Sequence, residues 1–382
     1  MSRTLQSLWL RVTSTVAPPI VLLAVLGMLG AAQSQTYTIL YAFQGGDDGG
    51  DPLGLERDST GNLFGITYNR GPFERGTIFR IDPAGNETTL FAFDQNTGSP
   101  SSLIIDRFGY MFGSTSGGGA FGQGIIFSLS PSGELTNLHD NQVFAIVTHQ
   151  DATGALYGVT IKGGSFGHGT VFQYKRGRLI TLYSFHGPEG DQPLRLVGDV
   201  SGSIVGITAR GGTFDKGTVF RITGVQTKTY TLLHSFRGKP DGASPSAIFL
   251  NAAGDLYGAT SLGGSSDRGT VFRITKGERY KQLYHFRGSQ WDGWFPTSVV
   301  ADASGTVFGT TGTALGGGGK YQSGSLFEID PFGVQTVLQG FTSYLDGENA
   351  GNLILDEAGN LYGVATSGGE HAFGNVFRWT PQ

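Results

Sequence analysis

The residues best suited to gripping a ligand sit in three groups. The segment Ser289-Gln290-Trp291-Asp292-Gly293-Trp294-Phe295-Pro296 brings two of the chain's four tryptophans into one stretch beside a carboxylate. Paired indoles present flat apolar faces and Asp292 an acceptor for hydroxyls, a combination suited to stacking on sugars. The competing reading is a local apolar plug. In the second group, Phe121, Phe166 and Phe214 each follow a Gly-Gly pair by two residues, with Phe73, Tyr321 and Phe373 near equivalent places. They form either a ring of stacking platforms or packing repeated from unit to unit, and their regular recurrence favours packing. The third group is acidic, at Asp47, Asp48 and Asp51, and recurs as Asp191, Asp241, Asp292 and Asp346. Crowded carboxylates can hold Ca²⁺, but Asp-Gly before Pro is also ordinary turn chemistry. Asp47, Asp48 and Asp51 are the calcium candidates, and no other cofactor is expected.

Covalent catalysis finds little support. There is no cysteine, which excludes disulfides, thiolate zinc sites and thiol nucleophiles. The seven histidines include no His-x-His or His-Glu-x-x-His pair, and no nucleophile elbow occurs. Gly-x-Gly runs such as Gly122-Gln123-Gly124 precede no helical pattern, so they make poor phosphate loops. No catalytic residue is nominated.

These residues must be held by a repeated unit. Asp58-Ser59-Thr60-Gly61-Asn62-Leu63-Phe64-Gly65 returns six times, ending at Gly113, Gly158, Gly206, Gly258, Gly309 and Gly363 at intervals of 45 to 54 residues. Gly76-Thr77-Ile78-Phe79-Arg80-Ile81 returns likewise, with Phe127, Phe172, Phe220, Phe272, Phe327 and Phe377 in the place of Phe79. This period suits one propeller blade. Each copy resolves into four strands: a short apolar A, an Asp-x-x-Gly turn, a Leu-Tyr-Gly-x-Thr type B, a Thr-Val-Phe-Arg-Ile type C alternating with period two, and a Leu-Tyr-Ser-Phe type D.

The phase of the repeat carries the fold assignment. Thr38-Ile39-Leu40-Tyr41-Ala42-Phe43 is a D-type strand with no A, B or C before it, and Val376-Phe377-Arg378-Trp379 is a C-type strand with no D after it. Together they complete a seventh blade and leave no open edge, which an open solenoid would not need. The expectation is an all-β, seven-bladed propeller of four-stranded antiparallel blades over 35–382, with strand 36–44 closing the last blade.

The recurring Leu-Tyr-Gly-x-Thr…Gly-Gly…Gly-Thr-Val-Phe-Arg-Ile unit resembles the Gloeo/Verruco (GloVer) tandem repeat of exported bacterial proteins, over essentially all of 36–380. The resemblance implies an exported repeat protein and carries over no activity or catalytic residue. Copy three departs from the pattern between Asn137 and His149, and copy six carries a longer loop, Thr313–Ser323. The Gly-His…Trp-Asp signature and the kelch Tyr/Trp pair are absent.

The N-terminus reads as a sorting signal. Arg3 and Arg11 precede the apolar run Ile20–Leu29 and the small residues Gly30-Ala31-Ala32-Gln33-Ser34. This order marks 1–34 as a signal peptide cut after Ala32 or Ser34, and the run is short of the ~20 residues that span a bilayer. Loss of two arginines would move the net charge from −4 to −6. The expected location is secreted or periplasmic, with no nucleic-acid partner and no membrane insertion after cleavage. Gly at 64 of 382 residues fits many tight turns, and 12% aromatic content argues against disorder.

A-B-C-D order puts the D-to-A and B-to-C loops on one face and the tight A-to-B and C-to-D turns on the other. The longer, more variable loops mark the first face as the binding face. The leading expectation is a ligand-binding or scaffold module for a glycan or an envelope protein. The alternative is a polysaccharide lyase or hydrolase at the channel mouth, where His149, Arg195 and a carboxylate would have to converge.

Overall fold

A computed structural model describes residues 35–199, 202–224, 228–288, 292–313 and 322–381. Residues 1–34, expected to be a signal peptide, Trp291, Tyr321 and most of the long loop of copy six lie outside these residues. The described chain forms seven four-stranded antiparallel sheets, with no helix among the described residues. The first blade is typical: A is Gly50–Arg57, B Leu63–Asn69, C Thr77–Ile81 and D Glu87–Ala92. Six blades follow chain order, and the seventh takes A, B and C from Glu348–Leu355, Leu361–Ser367 and Asn375–Thr380. Its D strand is Thr36–Ala42, which pairs with Asn375–Thr380. A strands of neighbouring blades touch all round, including the first with the seventh, so the ring is closed.

The repeat motif is explained by one packing constraint. The B-strand glycines Gly65, Gly113, Gly158, Gly206, Gly258, Gly309 and Gly363 each lie directly opposite the phenylalanine of strand C. A Cβ on any of them would come within 2.7 Å of that ring's Cζ. All seven C-strand phenylalanines are fully buried. Only glycine lets the ring lie across the neighbouring strand, so Leu-Tyr-Gly and Val-Phe-Arg are two halves of one contact.

The threonines of the motif are also paired. Thr67 and Thr77 share a hydroxyl hydrogen bond of 2.9 Å, and Thr160–Thr170, Thr208–Thr218 and Thr260–Thr270 repeat it at 2.8 Å. Thr311–Ser325 does so at 3.0 Å. These buried hydroxyls satisfy one another across strands B and C.

Blades are joined by a second ring. The phenylalanine ending each D strand donates its N–H to the glycine before strand C, as in Phe93→Gly76, Phe185→Gly169 and Phe43→Gly374, all 3.0 Å. Its ring then meets the next blade's C-strand phenylalanine: Phe43–Phe79, Phe93–Phe127, Phe185–Phe220, Phe236–Phe272, Phe286–Phe327 and Phe341–Phe377, with centroids 5.0–5.5 Å apart. Edge-to-face and tilted pairs of this kind add about 0.5–1.5 kcal/mol each beyond burial. Phe43 makes the same bond and ring contact as its counterparts, so the closing seam is built like the others.

One seam differs. Between the second and third blades the position belongs to Asn141, which keeps the N–H bond to Gly124 at 2.9 Å but brings no ring. This explains the irregular stretch from Asn137 to His149: the strands persist as Leu135–Asp140 and Ala145–Gln150, and the joint loses its aromatic pair.

Replacing Gly258 by Ala should cost about 3 kcal/mol, the upper range for overpacking a core. Adding Phe272→Leu to Gly258→Ala should recover part of that loss in denaturant melts; additive losses would show that ring and glycine are not coupled. Removing residues 36–43 should abolish a single cooperative transition, since it strips a strand and a seam aromatic together, whereas a frayed terminus would cost only a small shift.

Candidate functional site

The loop-rich face is the face expected, because D-to-A and B-to-C loops bond to one another. Gly71 N–H donates to Gly46 at 3.0 Å, Gly119 to Asn96 at 2.7 Å and Gly369 to Ser343 at 2.8 Å. A latch recurs between blades: the N–H of Asp51, Gln192, Ser244 and Phe295 donates to the preceding blade's Phe373, His168, Lys216 and Arg268 carbonyl at 2.9–3.2 Å. Each donor has positive φ, 48–57°, and precedes a proline that leads the chain into strand A.

The acids of this face are engaged in building loops. Asp48 accepts from Tyr41 Oη at 3.0 Å, Gln44 N–H at 2.7 Å and Gly46 N–H at 3.1 Å. Asp51 accepts from Asn69 Nδ2 at 2.7 Å, and Asp47 offers a backbone carbonyl to Thr89 at 3.4 Å. The three calcium candidates thus share no common partner. No three acidic or histidine side chains converge among the described residues. The histidines are engaged too: His168 meets Asp191 and His234 meets Asp241, both at 3.0 Å.

Asp292 is fully buried. It accepts from Tyr284 Oη at 2.7 Å and from the N–H groups of Arg287 and Gly288 at 2.9 and 3.0 Å. It organises its loop and is out of a ligand's reach. Trp294 begins strand A of the sixth blade, with the Arg268 guanidinium 3.6 Å from its ring centroid and its indole N–H buried without a partner. One face of the indole is covered. Phe295 meets Trp294 edge-on at 5.6 Å and serves as a latch residue.

The repeated phenylalanines are placed differently from the packing expectation. Phe73, Phe121, Phe166 and Phe214 are 59%, 56%, 52% and 47% exposed, at one loop position on four successive blades. Each precedes a residue of positive φ: Glu74, Gly122, Gly167 and Asp215. By the same criterion the seventh blade's counterpart is His371, ahead of Ala372, and the fifth blade's is Ser266. Phe373 falls two positions later and packs into the closing seam against Gly45 and Gly50. Phe166 is flanked by His186 at 3.8 Å and Phe214 by Arg237 at 5.6 Å.

Midway along this arc lies a cavity of about 350 Å³ at the seam that lacks its phenylalanine, lined by His139, Asn141, Gln142, Val143, Gly164 and Thr181 among others. Asn141 is 3% exposed, and its Nδ2 has no hydrogen-bond partner. An unsatisfied buried amide costs about 1–3 kcal/mol, so this seam gives up both an aromatic contact and a hydrogen bond.

The central channel is the other concave region. A cavity of about 380 Å³ is lined by A strands of six blades and includes Glu56, Thr148, Arg195 and Asn352. A second, of about 450 Å³, shares Glu56 and Thr148 and opens between the A-to-B turns with His149, Asp106, Arg107 and Asp151. The titratable groups of the channel therefore reach solvent on the tight-turn face. Burial holds the His149 imidazole below its usual pKa, and its ring rests on Gly198. No hydrogen bond or ion pair joins His149, Arg195 and Glu56 to one another among the described residues, so the convergence required of an active site is not present.

Sequence reasoning missed Asn141, Glu56 and Asn352. Asn141 had a usable signal, as the break in the otherwise regular D-strand phenylalanine series. Glu56 and Asn352 had none, since each is one polar residue in a short strand.

The pattern of the Gloeobacter/Verrucomicrobia repeat matches residues 29–201, 144–252 and 192–382. No curated protein matches the sequence. Among solved structures, a streptogramin B lyase superposes with TM-score 0.62 at 13% identity, covering 91% of this chain and 97% of that one. PorZ, a bacterial surface component of the type-IX secretion system of Porphyromonas gingivalis, gives 0.55 at 16%, covering 89% and 48%. A prolyl endopeptidase gives 0.54 at 14%, covering 86% and 47%. The chain spans about half the length of the last two. At these identities the likeness is one of fold.

Because Trp294 is held under Arg268, Trp294→Ala should cost about 2 kcal/mol of stability. Thermal melts of Trp294→Ala and Arg268→Ala would check this, and an unchanged melting temperature in both would return the indole to the list of free stacking surfaces.

Proposed function

This chain belongs to the Gloeobacter/Verrucomicrobia repeat family, and for it we propose the role of an exported binding module that holds an extended polysaccharide across its loop-rich face. The observation that carries the reading is the arc of exposed phenylalanines on four successive blades, centred on the cavity at the Asn141 seam. Exposed rings are not needed for packing here, since the buried phenylalanines of strands C and D do that work. Spaced flat apolar faces suit sugar rings presented one after another. The cavity lies at the centre of the arc where the seam holds Asn141 in place of a phenylalanine. Export rests on Arg3, Arg11 and the apolar run that follows. The enzymatic alternative has less support, because no hydrogen bond or ion pair joins His149 and Arg195 among the described residues and they line different cavities.

Affinity electrophoresis in gels cast with neutral and acidic polysaccharides tests the reading. Phe121→Ala and Phe166→Ala should each weaken retardation by about 1 kcal/mol, roughly fivefold, while melting temperatures hold. Asn141→Phe restores the missing seam contact, so it should raise the melting temperature by roughly 2 °C while abolishing retardation. A wild-type protein unretarded in every gel, or retardation indifferent to all three changes, would remove the proposal.

A further inference from the structure

Arg195 lies at an unusual place for a cation. It is on strand A of the fourth blade, Asp191–Gly198, at the bulge between Pro193 and Arg195 in the pairing with strand B. Its Nη2 donates to Asn352 Oδ1 at 3.4 Å, and Asn352 belongs to strand A of the seventh blade. Those blades stand on opposite sides of the ring, so the guanidinium crosses the channel. Asn352 holds a positive φ of 49°, a conformation uncommon for a residue other than glycine, and it lies within a second bulge, between Gly351 and Ile354. Two bulges therefore aim a donor and its orienting acceptor at one another across the axis.

No carboxylate lies within ion-pair distance of Arg195 among the described residues, and the long Asn352 contact is its one side-chain hydrogen bond. A guanidinium has five N–H donors, and one weak contact leaves most of the fork free toward the channel. The charged groups facing it are few. Glu56, on strand A of the first blade, lies in the same cavity without a hydrogen bond to its carboxyl. The other five A strands bring no charge into that cavity. His149, Asp106, Arg107 and Asp151 belong to the mouth beyond Glu56. Thr148, Ser101 and Ser102 add hydroxyls, and the remaining wall is mainly leucine, isoleucine and valine.

We propose that the central channel is a binding site for a small organic hydroxycarboxylate, such as a free sugar acid, held through two parallel hydrogen bonds from Arg195, with Asn352 orienting the guanidinium and Glu56 closing the site toward the turn face. A planar fork matches a carboxylate in a way that no hydroxyl or amide here does. A cavity of about 380 Å³ is at the small end of ligand sites and admits one such molecule. The site is independent of the loop face and can succeed or fail without it.

The ionisation of Glu56 gives the site a pH dependence. Burial pushes this carboxyl up to about 7, with Arg195 pulling the other way. Below that pH Glu56 is neutral and can donate to the ligand; above it, a second anion stands beside the incoming one and competes for Arg195. Calorimetric titration with galacturonate should give tighter binding at pH 6 than at pH 8, by about tenfold if only the protonated form binds. Arg195→Gln and Arg195→Lys should both lose binding, the second because an ammonium cannot make the paired contact. Glu56→Gln should bind equally at both pH values. The same substitution isolates a stability effect: the unfolded glutamate is already ionised above its ordinary range while the folded one keeps its proton, so this group's contribution falls as pH rises toward 7. Wild-type melting temperature should drop from pH 5 to pH 8 relative to Glu56→Gln, a readout that works without ligand. No heat at millimolar galacturonate at either pH, inorganic phosphate binding as tightly, or binding that survives both Arg195 changes in folded protein would overturn the proposal.

Discussion

Seven phenylalanine rings, each lying across a glycine on the adjacent strand, set the geometry on which everything else in this molecule rests. The contact fixes the spacing of strands B and C, and through the Thr-Thr bonds beside it the register of the pair. It also turns the C-strand rings toward the neighbouring blade, where in six of seven seams a second phenylalanine meets them edge-on or tilted. Intrablade and interblade packing therefore share the same ring, and neither can be altered alone. With no cysteine in the sequence, this aromatic belt and the closed circle carry the stability that disulfides supply in other small-cored domains.

Such a belt leaves the rims free to vary. Loops on one rim are tied by backbone bonds and by carboxylates that cap their own turns, so their side chains are released for other uses. Four phenylalanines stand out from that rim without a packing role, and at the centre of their arc the belt is interrupted by an asparagine. At the hub, the innermost strands carry bulges that point single polar residues into the channel. Variation is confined to positions that the Gly-Phe contact does not govern, which is where a ligand can be met.

The fold was readable from the sequence because its constraint repeats. Gly65 and Phe79 recur together seven times, and an orphan strand at Thr38–Phe43 matches a missing one after Trp379. Repetition turns a weak local signal into a strong one. The site was legible only where it shared that repetition. The arc of Phe73, Phe121, Phe166 and Phe214 could be located but not oriented, since recurrence suits burial and display equally. Asp292 stood out beside two tryptophans, yet burial and three loop donors give it a structural role that residue type cannot reveal. Glu56, Arg195 and Asn352 face one another only because blades one, four and seven meet at the hub. Their separation along the chain, up to about three hundred residues, hides that meeting from any local pattern.

The closing seam has a consequence for how the molecule comes into being. The strand Thr36–Ala42 is among the first segments of the described chain to be synthesised, and its partner Asn375–Thr380 is among the last. Six blades can assemble in order as each is finished, but the seventh must wait with both of its halves exposed. The circle is thus a checkpoint on completeness: a truncated product keeps one sticky edge at its beginning and another at its end, and is marked for aggregation or proteolysis by the geometry that protects the finished protein.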